Sequence, residues 1–116
     1  MEDCIFCKIA KKEIPSDIVY ETDTVICFRD LHPVAPTHVL LIPKEHFENA
    51  SELAASPKAD EVMGEILRAA REVAKLEGVL DKGYRLINNC GKGGGQTVMH
   101  LHFHLIAGPK LSPKII

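Results

Sequence analysis

The sequence predicts an α+β fold, with a five-stranded antiparallel sheet, one long helix and one short helix. Two observations lead to this prediction. Five segments are rich in β-branched and aromatic residues or alternate apolar with other side chains, as strands do. Residues 58–77 instead carry apolar side chains at helical spacing. A chain of 116 residues suits a single domain covering residues 1–116, with a modest core.

The sequence of the N-terminal half predicts the short helix and three of the strands. The helix is "CIFCKIAKKEI", which Pro15 ends. "DIVYETD" and "TVICFRD" predict an antiparallel hairpin that turns at residues 21–23. "THVLLIP" predicts the third strand, and the two prolines of "LHPVAP" set off its start.

The sequence of the C-terminal half predicts the long helix and the other two strands. The helical face is small and apolar, as expected for packing on a sheet, and Gly78 helps to end the helix. Its members are Val62, Ile66, Ala69, Ala70, Val73 and Leu76. "GYRLINN" predicts the fourth strand, "CGKGGGQ" a flexible loop and "VMHLHFHLIA" the fifth strand.

Composition excludes several classes of partner. The net charge is -2 and 26% of residues are charged, so no polybasic surface indicates nucleic acid or an anionic membrane. No segment approaches the ~20 apolar residues of a membrane span. The first residues, "MEDCIFCKIAKKEIPS", lack the order of a signal peptide. We therefore expect a cytoplasmic protein without nucleic-acid or membrane partners.

Three histidines on alternate positions mark the predicted fifth strand. His100, His102 and His104 share one face, because successive side chains of a strand point to opposite faces. The other face is a continuous apolar surface suited to packing under the long helix, and it consists of Met99, Leu101, Phe103 and Leu105. A solvated face, a zinc site and a nucleophilic acid–base centre are the three interpretations. The four glycines of "GKGGGQT" immediately upstream favour the third, since glycine lets backbone N–H groups approach a phosphate.

These motifs resemble a known family. "HLHFHLI" matches all seven positions of the histidine triad (HIT) motif, His-φ-His-φ-His-φ-φ with φ apolar. "CIFCKI", "FRDLHPVAPTHVLLIPKEH" and "GGGQTVMHLHFHLI" resemble three signature regions of the family's Hint branch. The resemblance implies the HIT fold, a five-stranded antiparallel sheet with two helices. It also implies a homodimer that shares a ten-stranded sheet.

The resemblance assigns catalytic roles to four histidines. His102 matches the nucleophile, which would attack the α-phosphorus of a nucleotide and form a nucleotidyl-histidine that water resolves. His104 would contact the phosphate and help the leaving group to depart. His38, in "APTHVL", would support the nucleophile from across the sheet. His100 completes the triad, although it also matches a metal ligand.

The resemblance further implies a site for an AMP-like purine nucleotide. Asp30 would accept both ribose hydroxyls, which suits a carboxylate. Asn89, Gln96 and Thr97 match positions near the phosphate, Thr97 replacing the more usual serine. The candidates for the apolar base pocket are Ile5, Phe6, Ile9, Phe28, Leu31 and Leu40.

The pair Cys4 and Cys7 forms a C-x-x-C motif, which alone indicates a metal pair, a redox pair or two buried thiols. The resemblance implies a structural zinc site completed by His46 and His100. No cofactor is then required for catalysis.

The predicted function is therefore a nucleotide hydrolase or phosphoramidase that cleaves AMP-linked conjugates. A nucleotide-binding regulatory or adaptor dimer with vestigial activity is one alternative, and a hydrolase that uses H-x-H as metal ligands is another. Two departures concern substrate preference and the surroundings of Asp30. Arg29 stands where the Hint branch often has histidine, and the tail lacks the Trp-Pro-Pro ending of eukaryotic relatives.

Overall fold

The computed structural model describes residues 3–116, and its sheet confirms the predicted α+β class. Five antiparallel strands lie in the order β1-β2-β3-β5-β4. The elements are α1 (Ile5–Ala10), β1 (Ile18–Glu21), β2 (Val25–Arg29), β3 (Thr37–Pro43), α2 (Ala50–Ala54), α3 (Ala59–Leu76), β4 (Arg85–Asn88) and β5 (Phe103–Ala107), with a 3-10 turn at Lys92–Gly94. None of the helices within residues 3–116 is long and apolar enough to cross a bilayer.

The long helix α3 covers one face of the sheet and builds the larger core. Its predicted apolar face is buried from Val62 to Val73, whereas Leu76 at its end is exposed. The same cluster contains Val39 and Leu41 of β3 together with the residues Leu101, Phe103 and Leu105. These three apolar residues around the histidines therefore pack beneath α3, whereas His100 and His102 contact Phe6 of α1 on the other face of the sheet.

The short helix α1 covers the opposite face through a second apolar cluster. Phe6 and Ile9 of α1 pack there against strands β2 and β3, which are buried on both faces. The strand members are Ile26, Phe28, Leu40 and Ile42. This burial explains why "VICF" and "VLLI" are continuous apolar runs instead of alternating ones. Cys27 lies in the core under α3, where burial raises the pKa of its thiol to about 12.

The fifth strand is shorter than the sequence predicts. Its pairing with β3 begins at Phe103, opposite Leu41. Continuing this register would place Pro43 opposite Leu101, and proline has no N–H to donate to a ladder. The N–H of Leu101 instead donates to the carbonyl of Phe47, at 2.7 Å. His100 and His102 therefore precede the strand, and Met99, expected in the core, is 40% exposed.

Smaller differences concern the helices. Helix α1 ends at Ala10 instead of continuing to Pro15, because Lys12 adopts a left-handed backbone conformation with φ 64°. Helix α2, capped by the side chain of Asn49, was not predicted. Helix α3 begins and ends within one residue of its predicted bounds. Gly78 follows it with φ 73°, as a residue that helps to end a helix does.

Candidate active site

Three imidazoles line the sheet face that α1 covers. His100 and His102 are buried, with exposed fractions of 0% and 6%, and His104 is half-buried. The rings of His102 and His104 lie 5.2 Å apart between centroids. The structure thus places the histidines side by side, but in different surroundings.

The ring of His102 is held by a backbone carbonyl. Its Nδ1 lies 2.7 Å from the carbonyl oxygen of His100. Because a carbonyl only accepts hydrogen bonds, Nδ1 carries the proton and Nε2 of the neutral ring keeps its lone pair. The edge contact of Phe6, with 5.1 Å between ring centroids and an interplanar angle of 86°, borders the same imidazole. His102 therefore offers one unprotonated nitrogen in a fixed orientation.

His38 and His104 form a chain of hydrogen bonds that starts at the backbone. The N–H of Val34 donates to Nδ1 of His38 at 3.2 Å, so the neutral His38 carries its proton on Nε2. That Nε2 lies 2.9 Å from Nδ1 of His104 and can donate to it. His104 then carries its own proton on Nε2. The arrangement gives the site one imidazole that accepts, His102, and one that donates, His104.

Burial keeps His104 neutral. It lowers the pKa of His104 from its ordinary value of 6.5, and the charges that His102 and His38 would carry lower it further. The carboxylate of Asp30 opposes this shift. A neutral His104 preserves the donor and acceptor pattern described above at pH 7.

Asp30 lies at the end of β2 beside this chain. Its Oδ1 accepts the N–H of His32 at 2.7 Å, and its Oδ2 is 3.6 Å from Nε2 of His38. The ligand atoms of Asp30, His38 and His104 are close enough to hold a metal ion. However, Nε2 of His38 carries a proton when Val34 donates to Nδ1. The hydrogen-bond chain therefore accounts for this group better than a metal does.

The glycine loop before the histidines is closed by Gln96. Gly91 and Gly95 adopt φ values of 78° and 87°, which favour glycine. The buried side chain of Gln96 accepts the N–H of Gly91 at 2.7 Å and donates to the carbonyls of Glu48 and Val98. The oxygen and the nitrogen of the Gln96 amide therefore both form hydrogen bonds that hold the loop closed.

Two other candidates lie next to this loop. Asn89 donates its side-chain Nδ2 to the carbonyl of Gly94 at 2.8 Å. Thr97 is exposed and borders a cavity of ≈870 Å³. Ile5 and Met99 also line this cavity.

The base-pocket candidates divide into two groups. Four of them meet in the cluster beneath α1, namely Phe6, Ile9, Phe28 and Leu40. The other two are exposed: Ile5 in the cavity beside Thr97, and Leu31 in the loop after Asp30 with an exposed fraction of 89%. The sequence-predicted residues are therefore not a single lined pocket in this structure.

A second group of side chains, the Cys₂His₂ cluster, consists of Cys4, Cys7, His46 and His100. Cys4 Sγ lies 3.3 Å from Nδ1 of His100, and Cys7 Sγ lies 3.3 Å from Nδ1 of His46. A tetrahedron with metal–ligand distances near those of zinc has edges of about 3.6 Å. The ligand atoms, all within 4.8 Å of one another, are therefore spaced as a tetrahedral site requires, and these four residues could bind a metal ion.

A hydrogen bond and burial leave the imidazole of His100 ready to bind a cation. Nε2 of His100 donates to the carbonyl of Pro43 at 2.8 Å, so its Nδ1 points a lone pair at the thiols. Burial lowers the pKa of His100 to about 4 and keeps the ring neutral. Burial also raises the pKa of the Cys7 thiol to about 11, with Cys4 adding to the shift. A metal ion would displace the thiol protons.

Sequence reasoning did not identify the backbone groups that orient the imidazoles. They are the N–H of Val34 and the carbonyls of Pro43 and His100. Backbone groups have no residue-specific signal, and their positions depend on long-range contacts. Only Pro43 offered a cue, since a proline at the end of a strand interrupts a ladder.

Comparison with known proteins identifies the family. The HIT domain model matches residues 11–111. The chain is 43% identical to the purine nucleoside phosphoramidase of Escherichia coli K12 over 114 residues, which cover 98% of this chain and 94% of that protein. It is 46% identical to a 14 kDa zinc-binding protein of Zea mays over 108 residues, which cover 93% and 84% of the two chains.

Solved structures agree with this result. The HIT family hydrolase from Clostridium thermocellum superposes with a TM-score of 0.94 at 49% identity, covering 100% of this chain and 99% of that one. The chain belongs to the HIT domain family.

Proposed function

We propose that this chain, as one HIT domain spanning residues 1–116, is a nucleotide hydrolase of the phosphoramidase type. Its substrates would be purine nucleoside phosphoramidates and related AMP-linked conjugates. The observation that carries the proposal is the 2.7 Å contact between Nδ1 of His102 and the carbonyl of His100, which leaves Nε2 of His102 free to attack. The name of the Escherichia coli relative supports the purine and phosphoramidate preference. Assignment to the Hint branch stays a prediction.

The reaction runs in two displacements at phosphorus. The lone pair on Nε2 of His102 attacks the α-phosphorus, and the bond from phosphorus to the leaving nitrogen breaks. The leaving nitrogen keeps that electron pair, takes a proton from solvent and departs as an amine. Water then attacks the same phosphorus, the bond to Nε2 breaks, and the nucleoside monophosphate is released while the water's proton passes to the buffer.

The other histidines support this displacement. The Nε2–H of His104 would donate to a phosphate oxygen or to the leaving atom, where negative charge develops. His38 fixes the tautomer of His104, because its own tautomer is fixed by the N–H of Val34. His100 acts on His102 through its backbone carbonyl, which makes it a positioning residue.

The nucleotide would lie on the sheet face that carries the histidines, between the apolar cluster beneath α1 and the glycine loop. Asp30 would accept the ribose hydroxyls with its carboxylate. Phe6, Ile9, Phe28 and Leu40 would form the floor for the base, with Ile5 and Leu31 at its exposed rim. Asn89, Gln96 and Thr97 would shape the phosphate loop. The ≈870 Å³ cavity beside Thr97 offers room for the leaving group.

The Cys₂His₂ cluster would hold zinc as a structural ion. Its two thiols and two ring nitrogens are the ligand set that zinc prefers, and the Zea mays relative carries the name of a zinc-binding protein. When bound, zinc would cross-link α1 to the sheet. No cofactor is required for the displacement itself, because His102 supplies the nucleophile. The homodimer and the cytoplasmic location stay predictions.

The two alternative functions make different demands. A hydrolase that used H-x-H as catalytic metal ligands would need lone pairs from His100 and His102 at one ion. Nδ1 of His102 instead donates to a carbonyl, and the lone pair of His100 faces the thiols. An adaptor dimer with vestigial activity would bind nucleotide without turnover, which the next experiment tests.

Replacement of His102 tests the function. His102→Ala should reduce turnover of an adenosine phosphoramidate by at least about 10³-fold, because the attacking nitrogen is lost. AMP affinity should stay within a few-fold, since little binding surface changes. In the wild type, acid quenching followed by mass spectrometry should detect an adenylyl group on His102.

The exposed His32 provides the control. His32→Ala should keep turnover within about twofold of wild type, because its side chain is exposed. Undiminished turnover in His102→Ala would exclude His102 as the nucleophile. Nucleotide binding by the wild type without any turnover would support the adaptor instead.

A further inference from the structure

Phe6 connects the Cys₂His₂ cluster to the nucleophile. It lies between Cys4 and Cys7 in the sequence and is 7% exposed. Its ring contacts the imidazole of His102 edge-on at 5.1 Å between centroids, and that of His100 at 6.0 Å. One aromatic side chain therefore contacts both a proposed metal ligand, His100, and the attacking ring.

The position of Phe6 depends on the cysteines beside it. Helix α1 has only six residues, and helices this short are not stable on their own. Cys4 caps it, since Sγ of Cys4 accepts the N–H of Cys7 at 3.3 Å. The same two thiols contact the ring nitrogens of His46 and His100. Contacts of the cluster thus hold α1, and Phe6 with it, against the sheet.

His100 provides a second connection. Its side chain belongs to the cluster, and its backbone carbonyl holds Nδ1 of His102. Both residues precede β5, whose pairing with β3 begins at Phe103. Their backbone is therefore positioned by side-chain contacts, including the bond from His100 to the carbonyl of Pro43, and by the bond from Leu101 to Phe47.

We propose that metal occupancy of the Cys₂His₂ cluster sets the orientation of the His102 ring, through Phe6 and through the backbone carbonyl of His100. Phe6 is then a positioning residue for the nucleophile as well as a wall of the base pocket. The inference rests on the proposed function for its kinetic consequence, but the orientation of the ring can be observed without substrate. Metal ligation restrains α1 and His100 together, so its loss should loosen both contacts to His102.

The first experiment removes the metal from the full chain. The zinc-loaded protein should show one His102 tautomer, with the proton on Nδ1, in ¹⁵N spectra of histidine-labelled protein. After treatment with a chelator in reducing buffer, the His102 signals should broaden or shift. The value of kcat should fall on the order of 10-fold, the scale of losing a group that orients a reacting ligand. Added zinc should restore both.

The second experiment keeps the metal and changes Phe6. Phe6→Leu retains apolar volume but removes the ring edge, so the zinc-loaded variant should show a disturbed His102 signal and a kcat lower by several-fold. A residue that only walled the base pocket would raise KM and leave both the signal and kcat unchanged. Ile26→Val, a packing loss in the same apolar cluster, is the control and should leave the His102 signal unchanged.

The outcomes separate the two proposals. An unchanged His102 signal in both chelated wild type and zinc-loaded Phe6→Leu would overturn the positioning role. If chelation unfolds the chain, the zinc-loaded Phe6→Leu spectrum still decides whether Phe6 positions the His102 ring. Absence of turnover by zinc-loaded wild type would instead refute the proposed function, while the spectra would still report on the ring.

Discussion

The protonation of a single residue, His104, should be visible in the stability of the protein. Burial lowers its pKa in the folded state, and the charges of His102 and His38 contribute, whereas the unfolded value is near 6.5. Below pH 6.5 the unfolded chain therefore binds a proton that the folded chain does not, so stability falls as the pH falls. His104→Gln should make the free energy of unfolding depend less steeply on pH. Urea unfolding between pH 8 and pH 5, with a chelator present, measures it.

A substitution of an exposed histidine is the control for this pH dependence. His32→Gln removes an exposed imidazole and should leave the pH dependence close to that of wild type. The burial argument for His104 fails if His104→Gln and wild type lose stability with the same slope. The chelator matters because metal binding would add its own pH dependence.

At the scale of elements, Arg29 joins the end of β2 to the end of α3. Its Nη1 and Nη2 each lie 2.8 Å from a carboxylate oxygen of Glu77, the C-cap residue of α3. Glu77 is largely covered, with 11% of its side chain exposed, whereas Arg29 is 42% exposed. This paired geometry gives a structural role to the arginine that departs from the family pattern.

A double-mutant cycle measures that contact. Arg29→Ala and Glu77→Gln should each destabilise the fold, with a coupling free energy of about 0.5–1 kcal/mol that decreases in 1 M salt. Lysine should not replace Arg29 fully, because it lacks the planar fork. The i,i+3 pair of Glu72 and Lys75 on α3 is the control and should couple by less than about 0.5 kcal/mol. Equal coupling in the two cycles would contradict the special role of Arg29.

For the whole molecule, local patterns predict the elements and long-range contacts determine the site. Helical spacing predicted both ends of α3 to within one residue, and the apolar run predicted β3 with its observed bounds. The alternation around the triad correctly placed Leu101 and Leu105 beneath α3. The start of β5 could not be predicted locally, because it depends on the register that brings Pro43 opposite Leu101.

The same distinction between local patterns and long-range contacts applies to the residues of the site. The four members of the Cys₂His₂ cluster are distant in sequence, and only a resemblance could group them before the structure brought them together. Gln96 was expected near the phosphate, but its amide closes the glycine loop through backbone partners that no motif encodes. Residue types therefore predict which chemistry is present, whereas tautomers and orientations follow from tertiary contacts.

The edge of the sheet indicates how two copies of the chain would assemble. Strand β4 pairs with β5 on one side and is an edge strand on the other, as is β1. All four residues of β4 are half-buried, and Leu86 packs on the core under α3. An edge of this kind is a template for another strand. We expect two copies to pair across β4 and give a ten-stranded sheet.

Light scattering after size-exclusion chromatography should report about twice the chain mass of 12.8 kDa. Hydrogen exchange supplies the internal control, because the two edge strands should differ. In a dimer paired through β4, the amides of Arg85–Asn88 that face away from β5 become protected, whereas the outward amides of Ile18–Glu21 exchange quickly. A mass near that of one chain at every concentration would contradict the dimer. A double mass with unprotected β4 amides would instead place the interface on another surface, such as the exposed side of α3 around Leu67.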